Sequence, residues 1–151
     1  MATNTAHPPL TLSQQRAADA WRCTLACAEG TRRQYATLAK GVPALILSSG
    51  LLQTLAYLEA TGAKPRHAHR HALGGHLRAW LQKRFPERLP APETDRFKPF
   101  MEALMALDGR TLQRVTREAL DWLRWLRQVA PALADEAADE AADGPAEGNR
   151  S

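Results

Sequence analysis

Residues 35–58, YATLAKGVPALILSSGLLQTLAYL, join a proline, an almost continuous apolar run and one narrow polar stripe. At 100° per residue Ser49, Gln53 and Tyr57 fall on one side with Gly50 beside them, and Leu51, Leu52, Leu55 and Leu58 take the other. This predicts a central buried helix with Pro43 in its first turn, where a missing N–H costs nothing. The small Ser48-Ser49-Gly50 segment is expected to let a neighbouring backbone approach. The same segment breaks the apolar run, so no stretch is read as membrane-spanning.

Outward from this helix the punctuation is regular. Thr11–Gln14 and Thr31–Gln34 both have the Thr-x-x-Gln spacing of a capping box, which predicts helix starts there. The first helix should run to about Glu29 before Gly30, and the second to about Lys40, interrupted by Gly41 and Pro43. The third should end near Gly62. A fourth covers about Ala68 to Phe85, with Leu73, Leu77, Trp80 and Leu81 on one face. A fifth covers about Lys98 to Leu107, with Asp108-Gly109 as its stop. In the last helix Leu112, Val115, Ala119, Trp122, Leu126 and Val129 alternate steps of three and four and make one packing seam. No strand pattern occurs, so the expected fold is all-α, a single compact bundle of five to six helices. Residues 1–10 read as a flexible arm, 11–131 as the bundle and 132–151 as an acidic disordered tail.

The 151 residues suffice for one core without disulfide or metal support. Charge is unevenly placed: residues 132–151 carry six acids and one arginine, whereas residues 1–131 carry nineteen basic and ten acidic side chains, net +9. Such a body suits a polyanion, although an alanine- and arginine-rich composition produces the same excess. Cys23 and Cys27 read as buried reduced thiols, since no second pair completes a zinc site. Met1–Leu10 lacks the pattern of a signal peptide, so a cytoplasmic protein is expected.

His67, His69, His71 and His76 lie in a basic stretch without a carboxylate close by in sequence, and read as a solvated basic loop rather than a metal site. No nucleophile–base pair, phosphate loop or metal motif occurs, so no catalytic residue and no cofactor is expected. On the last helix Arg110, Arg114, Arg117 and Arg124 lie opposite the seam. A solvated face and a phosphate-binding face fit that stripe equally well.

The string from Lys40 through GVPALILSSGLLQTLAYL resembles the signature helix of the small α-helical subunit of Cmr-type (type III-B) CRISPR RNA-guided effector complexes. Residues 118–127, EALDWLRWLR, look like that family's closing helix. The resemblance implies a non-catalytic structural subunit whose copies stack head to tail beside the guide RNA–target RNA duplex. Its implied partners are the other effector subunits, the duplex and further copies of itself, with no membrane. Arg32, Arg33, Lys40, Gln53, Arg110, Arg114, Arg117 and Arg124 are then candidate RNA contacts, and Trp21, Tyr57 and Trp125 candidate interface anchors. The alternative is a stand-alone helical nucleic-acid-binding regulator, whose recognition turn would be Leu107-Asp108-Gly109-Arg110.

Overall fold

The computed structural model describes residues 8–91 and 96–143, with the side chains of the last helix described as far as Glu136. Among the described residues there are five α-helices and no strand: α1 (Leu12–Ala26), α2 (Arg32–Gly62), α3 (Ala68–Arg84), α4 (Phe97–Met105) and α5 (Gly109–Asp143). Single 3-10 turns, Glu29–Thr31 and Pro65–His67, precede α2 and α3.

Local chemistry explains the first start. The Thr11 side chain accepts from the Gln14 amide at 3.1 Å while the Gln14 side chain accepts from the Thr11 amide at 2.8 Å, so the capping box is closed on both sides. The second predicted box does not form. The Thr31 hydroxyl instead donates to the Ala28 carbonyl at 2.9 Å, tightening a 3-10 turn. α1 therefore stops at Ala26, short of Glu29, because Cys27 turns extended (φ −73°, ψ 141°).

The largest departure from the sequence reading is in α2. Gly41 and Pro43 do not end a helix; the helix runs through both, and the break comes at Gly50 (φ 84°, ψ 163°). A proline removes one backbone bond, which a packed helix tolerates, whereas a positive φ takes the chain out of the helix altogether. Gly50 is used for that backbone freedom and not for close approach, since a Cβ there would meet nothing within 4 Å. Close approach occurs at Gly62, where a Cβ would stand 2.5 Å from the His71 backbone nitrogen. Beyond Gly50 the chain turns back, and Tyr57 lines a groove with Leu38, Gly41 and Leu45 of the first arm.

The predicted apolar side of the second arm is buried: Leu51, Leu55 and Leu58 are in the core, while Ser49, Gln53 and Tyr57 are exposed. The first arm is less enclosed than expected, burying Tyr35, Ala39, Val42 and Ile46 but leaving Leu47 76% exposed. By length and composition alone the stretch Glu29–Gly62 could cross a membrane, contrary to the sequence reading. The Gly50 turn breaks it midway, and both arms contribute to the bundle core.

The seam of α5 is buried from Val115 through Ala119, Trp122 and Leu126 to Ala130. α1 lies parallel to it, because Arg16 pairs with Glu118 and Asp19 with Trp122. The Trp122 indole donates to the buried Asp19 carboxylate at 2.9 Å, which also receives Arg22 at 2.8 Å. Helix α5 continues through Pro131 to Asp143, and Leu133 and Ala134 remain buried, so the boundary drawn after residue 131 falls inside a helix. The acidic segment to Asp143 is helical. Most of the predicted arm, residues 1–7, and the end of the predicted tail, residues 144–151, lie outside the described residues.

Candidate nucleic-acid interface

Asp108 starts α5: its carboxylate accepts from the Thr111 hydroxyl at 2.6 Å and the Thr111 amide at 3.2 Å. These two bonds hold the Asp108 carboxyl below its ordinary range. The next turns present Arg110, Arg114 and Arg117. They face Leu12 and Arg16 of α1, Arg84 at the end of α3 and the following Pro86–Arg88 turn across an open cleft of about 810 Å³.

Glu118 organises this cleft from beneath. Its carboxylate, nearly buried, accepts Nε of Arg16 at 2.7 Å, Nη2 of Arg16 at 3.0 Å, Nε of Arg84 at 3.0 Å and the Trp80 indole at 3.4 Å. Burial alone raises the Glu118 carboxyl; the hydrogen bonds from Arg16, Arg84 and Trp80 and the charge of Arg16 outweigh it, and the net shift is downward. Arg16 also reaches Asp121 at 3.5 Å. Two arginines are thus held by carboxylates, while among the described residues Arg88, Arg110, Arg114 and Arg117 make no ion pair. Six arginines and three carboxylates line the cleft, leaving it positive and open to solvent. Exposed guanidinium forks without acidic partners are suited to bidentate bonds with phosphate oxygens.

The remaining candidate contacts lie in different places. Arg124 is exposed on the same stripe but does not line the cleft. Gln53 lines an adjoining apolar groove of about 630 Å³ that shares Gln113 and Arg117 with the cleft, so it stands beside the arginines. Arg32 is half-buried and donates to the Leu25 carbonyl at 3.2 Å, which assigns it to the end of α1. Arg33 belongs to a separate groove of about 700 Å³ with Tyr57, Arg66, His67, His69 and Arg70. Lys40 is exposed and lines neither.

Of the aromatic anchors, Trp21 is 48% and Tyr57 43% exposed, whereas Trp125 is half-buried against the core. The Arg70 guanidinium lies 5.6 Å from the Tyr57 ring centroid. The four histidines do not form one cluster: the His67 and His69 rings meet edge to face at 5.9 Å, His76 meets the Tyr35 hydroxyl at 2.9 Å, and His71 lies 3.8 Å from Glu59. Desolvation, then neighbouring Arg70, lowers the His67 and His69 imidazoles, so they add little charge near neutrality. No group of three metal-binding side chains forms among the described residues.

Sequence reasoning missed Arg16, Arg84, Arg88 and the organising Glu118. One signal was available, because Glu118 abuts seam residues Ala119 and Trp122, where a carboxylate must find cations. Which cations it meets depends on α1 and α3 and is invisible in one helix.

The family model described as CRISPR-associated protein (Cas_Cmr5) matches residues 12–133. No curated protein matches the chain. Among solved structures, the X-ray crystal structure of a CRISPR-associated Cmr5 family protein from Thermus thermophilus is 28% identical with a TM-score of 0.61, over 82% of this chain and 98% of that one. The residues lining the arginine cleft, Leu12 to Asp121, all fall within the matched span.

Proposed function

Because the chain belongs to the Cas_Cmr5 family of CRISPR-associated proteins, we propose that it is a non-catalytic, cytoplasmic small subunit of a Cmr-type effector that grips RNA by its backbone through the arginine cleft. In this reading copies stack head to tail along the guide RNA–target RNA duplex, beside the other effector subunits, and hold target RNA without cutting it. Base pairing to the guide carries sequence choice; the subunit contributes phosphate contacts that any sequence can satisfy. Stacking requires a heterologous interface, one patch meeting a different patch on the next copy, and repeated weak contacts then multiply along one strand.

The observation that carries the proposal is the trio Arg110, Arg114 and Arg117, unpaired on consecutive turns of α5 at the rim of a cleft in which Glu118 holds Arg16 and Arg84. A solvated stripe would not need a buried acid to arrange its neighbours. The test is a salt titration of RNA binding by the reconstituted effector, with Arg114→Ala/Arg117→Ala against the unaltered chain. Removing one guanidinium–phosphate pairing reduces the slope of log affinity against log salt by roughly 0.7–0.9, equally for unrelated RNAs. An unchanged slope would assign those arginines to solvation alone.

A further inference from the structure

We propose that, before RNA is engaged, the arginine cleft of one copy receives the acidic end of α5 from another, a helical carboxylate row standing in for phosphates. The inference rests on reading the cleft as an anion site and adds its occupant in the RNA-free protein. Residues 132–151 carry six acids and one arginine, and they lie almost entirely beyond the span matched by the family model. Asp135 and Glu136 are exposed and make no ion pair among the described residues. Positions 135, 139 and 143, all aspartate, and positions 136 and 140, both glutamate, recur every fourth residue of a helix. They thus follow its axis in two rows. Arg110, Arg114 and Arg117 have nearly the same spacing, so the basic and the acidic positions match in length along their helices.

Covalent geometry sets the partner as a second copy. From Arg114 to Asp143 the helix α5 rises about 43 Å. The eight residues after Asp143 span at most about 27 Å even when fully extended. A chain's own acidic end therefore falls short of its own cleft. The two complementary charges sit toward opposite ends of one long helix, so every copy carries both halves of a contact that a polyphosphate chain displaces by mass action.

Charge reversal tests this in the full-length chain, with folding of each variant checked by helicity. One variant carries Arg114→Glu/Arg117→Glu and the other Glu136→Lys/Glu140→Lys. By sedimentation velocity the unaltered protein self-associates at low salt and dissociates as salt rises or as single-stranded RNA is added. Each variant alone associates roughly tenfold more weakly or less, and their equimolar mixture regains association, because the reversed rows match again. A monomeric parent at low salt, variants that associate like the parent, or a mixture that recovers nothing each overturn the proposal. RNA titration of the same two variants keeps the readings apart. Loss of RNA affinity in the cleft variant without any change in self-association sinks the docking and leaves the phosphate reading standing; unchanged RNA affinity with lost self-association sinks the phosphate reading alone.

Discussion

The arginine cleft and the groove around Tyr57 are both basic, but their charges are arranged differently. In the cleft a nearly buried carboxylate, Glu118, binds Arg16 and Arg84 and leaves Arg110, Arg114 and Arg117 unpaired on a rigid helix. In the groove, Leu38, Leu45 and Tyr57 form an apolar lining, Arg33, Arg66 and Arg70 stand along it, and Arg70 lies against the Tyr57 ring. The histidines there are biased toward the neutral form. Basic composition therefore does not by itself identify a phosphate site. What distinguishes the cleft is that an acid orders some guanidinium groups and frees others, whereas an apolar floor under scattered cations suits a protein surface.

The largest effect expected is on the scaffold that holds the cleft. Trp122 is fully buried between α5 and α1, and Trp122→Ala should cost about 3–5 kcal/mol by urea unfolding. A near-neutral result would mean that the cleft is held by its salt bridges and not by the core. Next comes a direct contrast of the two regions in the assembled effector. Arg110→Ala/Arg114→Ala/Arg117→Ala should lower the salt slope of RNA binding by about 2–3, while Arg33→Ala/Arg66→Ala/Arg70→Ala leaves it unchanged. Equal decreases would erase the difference between cleft and groove.

A smaller effect concerns pH. The Glu118 carboxyl is lowered in the folded state, so its contribution is fully present above the unfolded value of about 4.3 and is lost as pH falls through the folded value. Urea midpoints should fall on acidification, and Glu118→Gln should show a shallower decline across that window. Identical pH profiles would remove Glu118 as the organiser of the cleft. The smallest effect belongs to the groove: Tyr57→Ala forfeits the cation–π interaction with Arg70, about 0.5–1 kcal/mol at an exposed site, and should leave RNA binding untouched. A change in the RNA salt slope would move the groove into the phosphate-binding surface.

Much of the fold is legible in the chain because its cues are local. The Thr11–Gln14 box and the seam of α5 each involve residues within a few positions of one another, where helical geometry alone decides who meets whom, whereas Asp108-Gly109, read as a stop, caps the start of α5 instead. The arginine stripe was legible for the same reason. The break in α2 was not, since Pro43 and Gly50 are both plausible interruptions by propensity and only packing on both arms selects the glycine. The end of α5 was misplaced at Pro131 because burial of Leu133 and Ala134 carries the helix past a residue that disfavours it.

By itself, then, the sequence determined the all-helical content, the apolar faces of the second arm of α2, of α3 and of α5, and the exposed row of Arg110, Arg114, Arg117 and Arg124, because these follow from a 3.6-residue period. Only the tertiary structure decided that Arg32 closes α1, that Arg33 belongs to another groove, and that Arg16 and Arg84 meet at Glu118. Arg16 and Glu118 are separated by 102 positions in sequence. No spacing rule spans that interval: the pairing exists only because α1 packs parallel to α5 and brings a buried carboxylate within reach of two cations from different helices.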